Sequence, residues 1–113
     1  MTSGQNNLHR MMLAAIFTIA GVAYANAAVI RVQVSNYRFN PPQIVAHVGD
    51  TIQWVSSDVA PHTATARNGT WDLPIPSGQS GSIILTGAGT IDYYCRYHPN
   101  MVGRITVLKG RAR

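Results

Sequence analysis

The chain has 113 residues, with nine Lys and Arg against four Asp and no Glu, a formal net charge of +5. That length holds one small domain and leaves no room for a second. The bases are scattered rather than striped, which argues against a nucleic-acid-binding face, and a single cysteine excludes an internal disulfide.

The N-terminus reads as an export signal. Residues 1–10 (MTSGQNNLHR) are polar and end on a base. An apolar run, MMLAAIFTIAGVAYA, follows and closes on small residues. Both Ala23-Tyr24-Ala25 and Ala25-Asn26-Ala27 fit the A-x-A cleavage pattern, and cleavage after Ala27 is favoured over Ala25. The run is shorter than the ~20 apolar residues that span a bilayer, which argues against an uncleaved anchor. No cysteine follows it to carry a lipid. The expected organisation is a signal peptide at residues 1–27, a domain at 28–108 and a basic tail at 109–113, in a periplasmic protein. Removing Arg10 leaves eight bases against four acids, and Lys109, Arg111 and Arg113 of the tail are three of them. The remaining charge suits steering towards an acidic partner.

The domain that follows has a period of two rather than 3.6. Ile30, Val32 and Val34 alternate with polar residues, and Ile44, Ala46 and Val48 alternate with Val45 and His47. Gly49-Asp50 turns the chain into Ile52 and Trp54, and the loop SSDVAP leads to a short strand at Thr63–Ala66. Asn68-Gly69 is a turn, and Trp71–Pro76, with two prolines, reads as irregular. Ser80–Leu85, Thr90–Cys95 and Arg104–Leu108 complete the strands. About seven short strands separated by Gly, Pro and Asn, with no amphipathic helix, predict an all-β Greek-key sandwich of two antiparallel sheets.

The soft and borderline metal ligands left after cleavage are few: Cys95, Met101, His47, His62 and His98. Three of them share one window, Cys-x-x-His-x-x-Met, where a strand runs into a loop. A thiolate, an imidazole and a thioether at this spacing, with one more imidazole, make the donor set of a blue-copper site. His62, at the junction of APHTATA with its strand, supplies the second imidazole if that strand lies beside the one ending at Cys95. His47, its rival, sits on the polar phase of its strand and reads as an ordinary surface residue. Copper also explains a lone cysteine in an oxidising compartment, where a free thiol would be oxidised or cross-linked.

The chain from about Val29 to Leu108 resembles a cupredoxin of the plastocyanin and amicyanin type. The resemblance rests on PHTATA, on Val48-Gly49-Asp50 leading into TIQW, on Pro76-Ser77-Gly78-Gln79 and, above all, on YYCRYHPNMVGRITV. It implies an eight-stranded sandwich, one type 1 copper ion held by His62, Cys95, His98 and Met101, and one-electron transfer between Cu(I) and Cu(II) rather than enzymatic turnover. Two residues depart from the family pattern. Thr63 stands where many members carry Asn, and its hydroxyl is expected to bridge the ligand loops instead. Tyr97 stands where Pro is usual before the second His. Its free amide is expected to donate to the Cys95 sulfur, so that Tyr97→Pro lowers the reduction potential.

The family pattern also implies a docking surface around His98, formed by Pro99 and Asn100 with Val59, Ala60 and Pro61. Tyr94 is a second candidate electron port, because alternation turns it outward where Cys95 turns in. Arg96 is a candidate contact for an acidic partner. The resulting reading is a soluble, monomeric electron carrier, free of nucleic acid and not inserted in the membrane. It would serve a periplasmic cytochrome, dehydrogenase or oxidase. The alternative is copper delivery or resistance, disfavoured because a single Met survives cleavage. Four ligands leave no open position for a substrate.

Overall fold

A computed structural model of the chain describes residues 26–110. The expected signal peptide therefore lies almost wholly outside the described residues, as do the last three residues of the basic tail.

Alternation of apolar and polar residues builds most of the strands. In β1 (Val29–Ser35), Val32 and Val34 are buried while Arg31 and Gln33 face out. In β4 (Thr51–Ser56), Ile52, Trp54 and Ser56 are buried. The remaining strands are β2 (Arg38–Asn40), β3 (Gln43–His47), β5 (His62–Ala66), β6 (Asp72–Ile75), β7 (Ser80–Ile84), β8 (Gly89–Cys95) and β9 (His98–Leu108). They form a four-stranded sheet in the order β2-β1-β4-β7 and a five-stranded sheet in the order β3-β9-β8-β5-β6. Between them Val32, Val34, Ile52 and Trp54 meet Ile75, Tyr93, Ile105 and Val107. Each fully buried side chain of this size contributes about 1.5–3 kcal/mol. The expected all-β sandwich is the observed architecture.

Its sheets are mixed, however, rather than antiparallel. β1 runs parallel to β4, and β3 runs parallel to β9. Period-two patterning reports which face is buried and carries no information on strand direction, which depends on where the connections cross. Two short elements also join the expected set. β2 is held to the core by Phe39 alone. β6 lies within the segment expected to be irregular, and it tolerates Pro74 because it is the edge strand of its sheet.

The Gly49-Asp50 turn is tied down by a buried carboxylate. Asp50 accepts hydrogen bonds from the amides of Ala28 (2.9 Å) and His47 (2.9 Å), joining the start of β1 to the end of β3. His47 is half-buried beside it, with Nδ1 4.0 Å from Asp50 Oδ2.

Candidate metal centre

Three features at one end of the five-stranded sheet bring the candidate ligands together. First, β5 pairs with β8 only at Thr65–Tyr94 and Ala66–Tyr93, so pairing stops short of His62 and Cys95. Second, the register of β8 against β9 shifts between Tyr94 and Cys95. Such an irregularity re-aims a side chain and releases a strand from its ladder. Third, Arg96-Tyr97 forms a two-residue turn that sets His98 opposite Cys95. The spacing of two residues between Cys and His is the length of that turn.

Cys95 Sγ lies 3.8 Å from His62 Nδ1 and 3.7 Å from His98 Nδ1. All three ligand atoms fall within 4.8 Å of one another. Nitrogen and sulfur atoms arranged in a plane ~2.0–2.3 Å from one ion would be separated by roughly this much. His62 and Cys95 are buried and His98 is half-buried, so the site is closed on the protein side and reaches solvent through His98. Met101 is buried on β9, three residues beyond His98, on the face that also presents Ile105 and Val107 to the core. His47 is not part of the cluster.

A second layer of polar contacts holds these residues. The Thr63 amide donates to Cys95 Sγ at 3.4 Å. The Thr63 hydroxyl accepts from the Arg96 amide at 2.9 Å and contacts the Thr65 hydroxyl at 2.9 Å. Thr65 in turn donates to Asp72 Oδ1 at 2.6 Å, and Arg96 Nε donates to the same oxygen at 3.0 Å. Because Thr65 spends its proton on Asp72, the proton between the two hydroxyls must come from Thr63. The result is a closed ring from the Arg96 backbone through two threonines and a carboxylate to the Arg96 side chain. The Thr65 hydroxyl and the Arg96 guanidinium hold the Asp72 carboxyl below its ordinary range.

The Thr63 hydroxyl thus joins the segments that carry His62 and Cys95, and the Tyr97 amide lies apart from the sulfur. Among the described residues no hydrogen bond joins its amide to Cys95; the donor to sulfur is the Thr63 amide. Within the two-residue turn the Tyr97 ring is exposed, with the Arg96 guanidinium 5.5 Å from its centroid.

On the other flank, Asp58 Oδ2 lies 2.8 Å from His62 Nε2. Burial pushes the Asp58 carboxyl up, but hydrogen bonds from the Tyr37 amide, His62 and the Asn36 amide outweigh it and hold it below the usual range. Asp58, Tyr37, Thr65 and Asp72 were not singled out from the sequence. Only Asp58 carries a local signal, as an acid four residues before His62 in a loop.

The other candidate residues lie at the surface. Val59, Pro61, Pro99 and Asn100 are exposed and Ala60 is half-buried. Tyr94 turns outward as alternation requires, with the Arg67 guanidinium 4.4 Å above its ring. Arg96 is engaged by Asp72 at 3.0 Å.

Comparison with known proteins decides the family. The model for the cupredoxin-like domain matches residues 9–107. The chain belongs to the cupredoxin family. This cupredoxin is 30% identical to amicyanin of Paracoccus denitrificans over 94 residues, covering 78% of this chain and 71% of that protein. It is 29% identical to plastocyanin of Prochlorothrix hollandica over 117 residues, covering 88% of each. Among solved structures it is similar to the Cu(I) form of an amicyanin mutant, at 32% identity and a TM-score of 0.62, covering 74% of this chain and 85% of that one. It is also similar to a purple cupredoxin from Nitrosopumilus maritimus, at 26% identity and a TM-score of 0.62, covering 69% and 98%. Cupredoxins bind one copper ion, and His62, Cys95, His98 and Met101 form an arrangement of the type 1 kind.

Proposed function

We propose that this cupredoxin is a small one-electron carrier of the periplasm, in which His62, Cys95, His98 and Met101 hold a single copper ion. The observation that carries the reading is the convergence of Cys95 Sγ with the two Nδ1 atoms at 3.7 and 3.8 Å. Copper held there would supply a one-electron couple. The protein's part is to keep the donors fixed through the change of charge. His62 and Cys95 are locked by buried contacts, and the Thr63 amide stabilises charge on the sulfur. Core side chains exclude water on one side. His98, half-buried and bordered by exposed Pro99 and Asn100, offers the shortest route to a partner. With all donors supplied by the protein no position is left for a substrate, which suits electron transfer rather than catalysis.

The partner would be a cytochrome, dehydrogenase or oxidase with an acidic docking surface, met by a basic monomer. Copper delivery is less well supported, because such carriers use exposed Met and His clusters whereas Met101 and His62 are buried. An optical spectrum of the Cu(II)-loaded protein tests the reading. An intense thiolate-to-copper band, lost in Cys95→Ser, with reversible voltammetry, is expected. Binding of Cu(I) without that band or a reversible couple would favour delivery.

A further inference from the structure

The loop before His62 and the turn between β1 and β2 meet at one carboxylate. Asp58 Oδ1 accepts from the Asn36 amide at 2.8 Å, and Oδ2 accepts from the Tyr37 amide at 3.0 Å. His62 Nε2 lies 2.8 Å from Oδ2. The backbone of Asp58 is pinned as well. Its amide donates to Ser56 Oγ at 3.1 Å, and its carbonyl accepts from the Gly78 amide at 3.1 Å.

Both turn residues have positive φ, 51° at Asn36 and 58° at Tyr37. Asn tolerates this region; Tyr occupies it only against a steric penalty. The strained conformation points the two successive amides at Asp58, whose acceptance offsets the cost. It also sets the Tyr37 ring edge-on against two imidazoles. Its centroid is 5.3 Å from that of His62 and 4.7 Å from that of His98, at interplanar angles of 89° and 85°.

We infer that Asp58 is a positioning residue for the metal centre, one that fixes the tautomer of His62 and through the Asn36-Tyr37 turn clamps Tyr37 over both imidazoles. The two amides donate to the carboxylate and favour its ionised form, which carries no proton to donate. The proton in the Asp58–His62 contact must then sit on Nε2, which leaves the lone pair of Nδ1 facing Cys95 Sγ at 3.8 Å. A carboxylate behind a ligating imidazole is a recurrent way to fix a ring and raise its basicity. Here one carboxylate also holds the aromatic cover of the site. Its negative charge beside the centre favours the more highly charged copper state and lowers the reduction potential.

This inference rests on the copper reading for its redox consequence, but its structural half is tested without metal. In the metal-free protein, ¹⁵N-edited spectra of the histidine rings at neutral pH should report the Nε2–H tautomer for His62, and an Nδ1–H tautomer would overturn the proposal. In the copper-loaded protein, Asp58→Asn should raise the reduction potential while the thiolate-to-copper band persists. A potential that is unchanged or lower would also overturn it. If wild type showed no such band, the copper reading would fail and the ring spectra alone would decide the positioning role. Should Asp58→Asn fail to fold, the same measurement is made with Tyr37→Gly added to it and compared with Tyr37→Gly alone, since Gly adopts positive φ without the carboxylate's help.

Discussion

At the scale of single residues, Thr63 does two jobs that its neighbours divide. Its amide reaches Cys95 Sγ, and its hydroxyl takes the Arg96 amide from the far side of the ligand loop. Thr63→Val keeps the shape and the amide but removes the hydroxyl, so the Arg96 amide and the Thr65 hydroxyl each lose a buried partner. The metal-free variant should be destabilised by about 1–3 kcal/mol, read as a lower urea midpoint at unchanged slope. A loss within error would mean that water replaces the hydroxyl and that the ring through Asp72 is dispensable. The bridging role of Thr63 was legible because it follows a candidate ligand and has a hydroxyl to offer. The direction of the Tyr97 amide was not legible. Sequence identifies which turn residues keep an N–H, but the dihedral angles of a two-residue turn decide where it points. Asp58 escaped notice for a related reason, since its partners Asn36 and Tyr37 are 22 and 21 residues away in the chain.

At the scale of elements, the ligand hairpin β8–β9 depends on a residue with no side chain. Gly103 pairs with Tyr93 across the hairpin, and a Cβ at this position would collide with the Tyr93 ring. That ring cannot easily retreat. Its phenol accepts a hydrogen bond from Trp54 Nε1 at 3.2 Å, and Phe39, Trp54 and Trp71 surround it at centroid distances of 4.7, 5.4 and 5.6 Å. Burial pushes the phenol pKa up to about 12, so the hydroxyl stays protonated across the working range of pH. Gly103→Ala should cost about 1–3 kcal/mol or more, by overpacking. The aromatic cluster should register the change as altered near-ultraviolet circular dichroism. An unchanged spectrum and stability would show that Tyr93 has space to move. Seen from sequence, Gly103 was one glycine of a ligand-bearing motif, and nothing in the local pattern linked it to Tyr93. Strands with regular alternation, such as β1 and β4, were legible throughout. Those set by a single anchor or an edge position, β2 and β6, were not, and neither was the parallel pairing that places β1 beside β4.

At the scale of the whole molecule, the domain is small and its staple is expected to be the metal. A domain of this size buries only roughly 60% of its unfolded surface, and no disulfide is available to supplement its core. One end of the sandwich is assembled from three separate segments: His62 on β5, Cys95 at the end of β8, and His98 and Met101 on β9. An ion bound to all of them stabilises the folded chain, whereas in the unfolded chain His62 lies 33 residues from Cys95 and no preformed site exists. Free copper at a hundredfold excess over its dissociation constant adds about 2.7 kcal/mol. For a domain of 60–100 residues each kcal/mol moves the midpoint by about 4–8 °C, which implies a rise of roughly 10–20 °C. Calorimetry of metal-free and Cu(I)-loaded protein under anaerobic conditions measures it, Cu(I) being chosen so that the exposed thiol is not oxidised during unfolding. Cys95→Ser should lose most of the increment, because the thiolate is the ligand shared by both short contacts to the imidazoles. Coincident transitions with and without Cu(I) would mean that the core alone sets the stability and that the three segments hold their positions without the ion.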